Sequence, residues 1–146
     1  MNKKELLNIL KIKTEEKINS LENLIVETRA SNNDTKSSMG DKYETSREML
    51  QQEINNLQRQ LNECIKQQNL LLKMNTESCD KVQKGALVKT DKGMFYIAVS
   101  LGELKLDSTK IMSISEDSPL AKAMFGMKVG SNFTINTIQH HLDEIW

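Results

Sequence analysis

Two cysteines in 146 residues, Cys64 and Cys79, leave this chain without a Cys-x-x-Cys pair or a Cys/His cluster at the spacing that zinc requires. Both are expected to be reduced, structurally ordinary thiols. Proline is rarer still, at Pro119 alone, and aromatic residues make up 4%, so a pocket walled by several aromatic rings has little to be built from. No apolar run reaches the length of a signal peptide or membrane span, and the opening residues 1–13 interleave lysine with leucine and isoleucine. A cytoplasmic protein with no membrane partner is expected. Charge of neither sign predominates, because 20 basic residues balance 20 acidic ones. The chain as a whole therefore offers no polyanion-binding surface, and direct sequence-specific binding of nucleic acid is not expected. The length suits one domain or two small ones, and an apolar content of 38% argues against a single large globule with an internal cleft.

What the chain does have is two halves with different periodicities. Up to about residue 76 there is one glycine, Gly40, and no proline; after it come Gly85, Gly93, Gly102, Gly126, Gly130 and Pro119. In the first half, Leu7, Leu10, Leu21 and Leu24, widened by Ile18 and Ile25 and weakened at Thr14, Lys17 and Thr28, predict an amphipathic helix over about residues 4–28. Leu50, Ile54, Leu57, Leu61, Cys64, Gln68 and Leu71 alternate four- and three-residue steps, the spacing of a left-handed coiled-coil seam, and predict a second helix over 42–75. Between them, residues 30–41 carry no apolar periodicity and are dense in Ser, Asn, Asp and Thr, which bond to their own backbone. That stretch is read as the tip of an antiparallel hairpin in which each helix buries the other's stripe.

The second half reads as short strands and turns. Asp91, Lys92 and Gly93 turn one strand into the next, which spans 94–100; a further strand is expected at 110–115, and a last strand pair holds Phe133, Ile135 and residues 138–146. Residues 117–126 carry the full punctuation of a short helix: Ser118 as N-cap, Pro119 at its first position and Gly126 past its end. Leu120, Met124 and Phe125 are expected as its core contacts.

Ser118-Pro-Leu-Ala-Lys-Ala-Met-Phe-Gly-Met-Lys-Val-Gly130 resembles the Ser-Pro-hydrophobic-Ala-x-Ala-hydrophobic-hydrophobic-Gly-x-x-x-Gly segment of the bacterial Gre transcription elongation factors. Lys42-Tyr-Glu-Thr-Ser-Arg-Glu48 is similar to the Glu-Tyr-x-x-Ala-Arg-Glu opening of that family's second helix. The order of hairpin and β domain is the same, so the likeness covers nearly the whole chain. It implies an α+β fold: an N-terminal antiparallel coiled-coil hairpin over 1–75 with its tip at about 30–42, a linker over 76–84, and a small FKBP-like antiparallel β domain with one short helix over 85–146. It further implies a monomeric partner of RNA polymerase, docking through its C-terminal domain and inserting the hairpin into the secondary channel. Ser118, Pro119, Leu120, Lys122 and Lys128 are the docking candidates.

In cleavage-promoting members of the family, an Asp and a Glu three residues apart at the tip help to hold a magnesium ion that orients water for hydrolysis of backtracked RNA, a two-metal chemistry in which the factor supplies only carboxylate oxygens. No cofactor is expected to be held stably, and the protein alone is not expected to be an enzyme. Two registers are open. Matching Tyr43 to the family tyrosine, with Arg47 and Glu48 agreeing, puts Lys36 and Met39 at the acidic positions and implies a non-cleaving, inhibitory factor. Matching Gly40-Asp41-Lys42-Tyr43-Glu44 to the family's Gly-Asp-x-x-Glu keeps the acids, with Asp41 and Glu44 sharing magnesium with the polymerase and Asp34 as a third candidate. Asp41 and Glu44 also suit the first turn of a helix for a plainer reason, since the macrodipole favours acids there by ~0.3–1 kcal/mol each.

Other chemistries find little support. His140 and His141 are neighbours in an expected strand, so they point to opposite faces and do not converge on one ion. Ser113, Ser115 and Ser118 lie in no glycine-flanked nucleophile motif, and Gly126 to Gly130 lacks the Lys-Ser/Thr ending of a phosphate loop. The competing architecture is an oligomeric coiled coil in which residues 50–71 mediate self-association, a scaffold with no role at the polymerase.

Overall fold

A computed structural model describes the backbone of residues 2–35 and 41–146, and the side chains of 2–31 and 45–146. The fold is α+β. Its elements run α1 (Lys3–Thr35), α2 (Asp41–Lys73), β1 (Leu87–Thr90), β2 (Gly93–Ala98), β3 (Gly102–Leu106), β4 (Thr109–Ser115), α3 (Pro119–Met124), β5 (Asn132–Ile135) and β6 (Ile138–Ile145). The chain divides into two compact units, Ile12–Asn69 and the combination of Met1–Lys11 with Leu70–Trp146.

The helical unit is built on one seam. On α1 the buried positions are Thr14, Ile18, Leu21, Ile25 and Thr28, and on α2 they are Ile54, Leu57, Leu61 and Cys64. Ile18, Leu21 and Ile25 form a single cluster with Leu57, Leu61 and Cys64. The two segments therefore run antiparallel, and the stripe on α2 is filled from within the chain. Each such Leu or Ile removed from water contributes about 1.5–3 kcal/mol. The stripe on α1 differs from its sequence reading by one residue. Leu24 is 41% exposed and Lys17 is exposed, whereas Ile18 and Ile25 lie on the seam. A step of one residue turns a helix by about 100°, so Leu24 faces off the seam that Ile25 occupies. The hydroxyl of Thr28 is satisfied inside its own helix by donating to the Leu24 carbonyl at 2.7 Å.

Both helix ends have local causes. Asn2 caps α1, its Oδ1 accepting from the Glu5 N–H at 3.2 Å. The helix continues to Thr35 rather than stopping near residue 28. Residues 30–35, expected in the tip, lack apolar periodicity but contain no Gly or Pro to break the backbone ladder. At the other end α2 stops at Lys73, where the Met74 N–H bonds to the Leu71 carbonyl at 3.3 Å and Asn75 Oδ1 accepts from the Glu77 N–H at 3.1 Å, an Asx turn.

The second unit is a six-stranded sheet in the order β3-β4-β2-β1-β6-β5. All neighbours are antiparallel except β2 and β4, which run parallel with Phe95 opposite Met112 and Ile97 opposite Ile114. Two-residue turns join three pairs: Asp91-Lys92 between Thr90 and Gly93, Asp107-Ser108 between Leu106 and Thr109, and Asn136-Thr137 between Ile135 and Ile138. Strand β3 has no distinct signature in the sequence: its burial alternates at Leu104 and Leu106, too short a pattern to stand out beside the turns around it.

Alternation of side chains gives the sheet two cores. Leu87, Tyr96, Ala98, Leu104 and Ile111 pack with Leu6, Leu7 and Leu10 from the start of α1 and Leu71 from the end of α2. Val88, Ile97, Phe133 and Leu142 pack on the other core with Ala121 and Met124 of α3 and with Val82. Val82 belongs to an irregular stretch over 74–86, yet it is fully buried, and its backbone N–H and C=O bond to the Met127 carbonyl (2.8 Å) and the Gly126 N–H (2.7 Å).

Candidate functional site

The segment 118–130 is held from both ends by backbone bonds. Ser118 has extended backbone (φ −65°, ψ 149°), and its Oγ accepts from the Ala121 N–H at 3.2 Å. Pro119 takes the first helical turn, where its missing N–H costs nothing. Past the helix, Gly126 and Gly130 adopt φ of +80° and +93°, which turn the chain twice and favour residues without a Cβ. The Gly130 N–H donates to the Leu142 carbonyl at 2.9 Å, and the Leu142 N–H donates to the Ser131 carbonyl at 2.9 Å. The two glycines thus serve turn geometry.

Burial divides this segment. Ala121 and Met124 are fully buried, and Leu120 is half-buried against the same core. Pro119, Lys122 and Lys128 are exposed, while the half-buried Ser118 has its hydroxyl engaged in capping. Phe125, expected in the core, is 54% exposed, and Val129 is 57% exposed. The correction follows from where the helix stops: α3 ends at Met124, and residue 125, at φ −57° and ψ 131°, leaves the helical path that would have turned its ring inward. Phe125 and Val129 are exposed apolar residues near two lysines, and nothing in the local spacing distinguished them from core positions.

The tip candidates are placed by backbone only. Asp34 lies in the last turn of α1, Asp41 opens α2, and Glu44 follows three residues later; the side chains of all three lie outside the described residues, as do Lys36 and Met39 altogether. Among the described residues, no group of three His, Cys, Asp or Glu side chains is placed to hold a metal ion.

The histidine pair behaves as strand alternation requires. His140 is buried and its ring stacks on Phe133, with centroids 4.8 Å apart and planes 7° from parallel. His141 is half-buried, and its Nδ1 lies 2.7 Å from Asn132 Oδ1. A shallow cavity of about 170 Å³ opens on the β2–β4–β3 part of the sheet, lined by Phe95, Met112, Glu103, Lys92 and Lys110. A second, of about 340 Å³, is lined by Asn2, Lys3, Lys4, Thr76, Ser78 and Trp146. Neither gathers the nucleophile, base and orienting group that covalent catalysis needs.

No family model matches the chain, and no curated protein matches it. Solved structures do resemble it. One described as the transcription factor Gfh1 is 14% identical over 92% of each chain, with a TM-score of 0.38. Gfh1, GreA factor homolog 1, of Thermus thermophilus is 17% identical over 97% of this chain and 93% of its own, with a TM-score of 0.35. Thermus aquaticus Gfh1 is 17% identical over 97% of this chain and 92% of its own, at 0.34. Superposition at that level leaves the functional argument to the residues themselves.

Proposed function

We propose that this chain regulates transcription by binding RNA polymerase, docking through the exposed part of segment 118–130 and entering the secondary channel with its helical hairpin. The observation that carries the reading is that segment: its sequence resembles the Gre motif, and its fold spends Ser118, Ala121 and Met124 on structure while leaving Pro119, Lys122, Phe125, Lys128 and Val129 at the surface. An exposed aromatic, Phe125, flanked in sequence by Lys122 and Lys128 suits a protein surface with acidic and apolar groups. Buried α2 positions also favour this reading over a scaffold, because Leu57, Leu61 and Cys64 already have partners on α1.

At the tip, the candidate acids are Asp34, Asp41 and Glu44. In the register that keeps Asp41 and Glu44 as the acidic pair, their carboxylates add oxygen ligands to a magnesium ion held by the polymerase, and the factor stimulates cleavage of backtracked RNA that the polymerase itself performs. In the tyrosine register, it occupies the channel without that chemistry and inhibits.

Backtracked elongation complexes separate these outcomes. Binding that weakens by about tenfold or more in Phe125→Ala or Lys122→Glu supports docking through this face. Cleavage accelerated by the natural chain and lost in Asp41→Ala and Glu44→Ala assigns the carboxylates, whereas slower elongation with cleavage unaccelerated assigns inhibition. Failure to bind polymerase at all overturns the reading.

A further inference from the structure

The two thiols of the chain sit in opposite surroundings. Cys64 is 2% exposed in the helical seam, among Ile18, Leu21, Leu57 and Leu61. Cys79 lies in the irregular stretch 74–86, is partly exposed, and has its Sγ 3.7 Å from the Lys3 ammonium. Lys3 is itself so deeply buried that water does not complete its hydrogen bonds. Two of its donors reach the main-chain carbonyls of Glu77 and Trp146, and a third is left with this sulfur, a weak acceptor.

A second polar group in the same neighbourhood has no partner. The Tyr96 hydroxyl is fully buried and unpaired among the described residues. Tyr96 stands opposite Leu87, Leu87 exchanges backbone bonds with Trp146, and the Trp146 carbonyl takes the Lys3 ammonium. The hydroxyl is close enough to Cys79 for a charge there to act on it. Buried donors without good acceptors are costly, and Cys79 has two beside it, one weakly met and one unmet. An oxygen atom added to its sulfur would serve both.

We propose that Cys79 is a site of reversible oxidation by hydrogen peroxide, its sulfenic acid held by Lys3 and Tyr96. The sulfur bonds to one peroxide oxygen as the O–O bond breaks, and the other oxygen leaves as water with the thiol proton. Sulfur gives up the two electrons that the peroxide gains. The Lys3 ammonium then donates to oxygen in place of sulfur, a stronger, charge-assisted bond. Part of that bond is made while the S–O bond forms, so oxidation is faster and its product longer-lived. A small thiol reverses the step, displacing water to give a mixed disulfide from which a second thiol releases Cys79. Room for the oxidant lies in the cavity of about 340 Å³ lined by Lys3, Ser78 and Trp146 among others. The site does not depend on polymerase binding.

Peroxide added to the full chain with dimedone, which captures sulfenic acids, tests the proposal, with peptide mass spectrometry reading the label on each cysteine over time. Cys79 should be labelled at least about tenfold faster in the folded chain than in the same chain unfolded in urea, the scale of one charge-assisted hydrogen bond. Cys64 should stay unlabelled in the folded chain. Lys3→Met, confirmed as folded by circular dichroism, should lose the advantage at Cys79. Tyr96→Phe keeps the buried ring, and its sulfenic acid should decay severalfold sooner when dimedone is added only after a delay. Labelling of Cys79 no faster in the folded than in the unfolded chain, parental labelling in folded Lys3→Met, or parental decay in Tyr96→Phe would each overturn the proposal.

Discussion

The ammonium of Lys3 donates to the main-chain carbonyl of Trp146 at 3.1 Å, joining the first turn of α1 to the residue that follows β6. The same ammonium donates to the Glu77 carbonyl and lies 3.7 Å from Cys79 Sγ. Lys3 is only 6% exposed, so its charge is kept out of water by main-chain acceptors. Charged hydrogen bonds contribute about 1.5–3 kcal/mol each, and the desolvation of the ammonium offsets part of that. Lys3→Met should therefore destabilise by about 2 kcal/mol, lowering the urea midpoint with little change in slope.

Tyr96 presents the opposite case. Its ring is fully buried, and its hydroxyl has no hydrogen-bond partner among the described residues. Burial, reinforced by Cys79, pushes the hydroxyl from its ordinary 10.0 up to about 12. A raised value means that the folded state holds the proton more tightly, so this contribution to stability is complete below pH 10 and is lost as pH rises from there towards 12. Tyr96→Phe should be neutral to stabilising, by up to roughly 1 kcal/mol at neutral pH, and should flatten the alkaline fall in stability above pH 10 seen by denaturant titration.

The seam of α1 supplies a sharper comparison between adjacent residues. Ile25 is 4% exposed within the helical cluster and Leu24 is 41% exposed. Ile25→Ala should cost about 2–4 kcal/mol through lost transfer and a residual cavity, while Leu24→Ala should cost under about 1 kcal/mol. Equal losses in chemical denaturation would contradict the assignment of the seam.

That pair also shows how far the sequence carries. The α2 stripe was legible because its seven positions keep one unbroken alternation, whereas α1 has Thr14 and Thr28 on its seam and Leu24 beside it, so hydrophobicity alone selects the wrong neighbour. Ser118, Pro119 and Gly126 could be placed in advance because capping and turns are local chemistry. Phe125 could not, since its exposure depends on α3 ending one residue earlier. Val82 was equally hidden: a lone valine in a polar stretch becomes a core residue only when Gly126 and Met127 supply its backbone partners.

At acid pH the turn between β1 and β2 comes into play. Asp91 Oδ1 accepts from the His141 backbone N–H at 2.9 Å, and that bond, opposed in part by desolvation and helped by Lys92, holds the carboxyl below its ordinary 3.8. A depressed value means that the contribution is present above pH 3.8 and is lost as pH falls through the lower folded value. Asp91→Asn keeps an acceptor but no longer titrates. Melting temperatures measured from about pH 5 to about pH 2 should fall less steeply in the variant than in the parent.

The turn joining β5 to β6 stores strain that a single substitution should release. Asn136 and Thr137 have φ of +51° and +66°, both in the left-handed region, in the two-residue connection between Ile135 and Ile138. Such a turn matches the twist of the strands and favours Asn followed by Gly. Asn136 meets the first preference, but Thr137 places a β-branched side chain where its Cβ crowds the backbone. Its side chain is exposed, so little packing is forfeited by removing it. Thr137→Gly should stabilise by about 1 kcal/mol, the relief of strain exceeding the added freedom of the unfolded chain. Thr137→Ala separates the causes: it removes the branching but retains the Cβ, so it should recover only part of the gain. If the two variants melt at the same temperature, branching rather than left-handed geometry sets the cost.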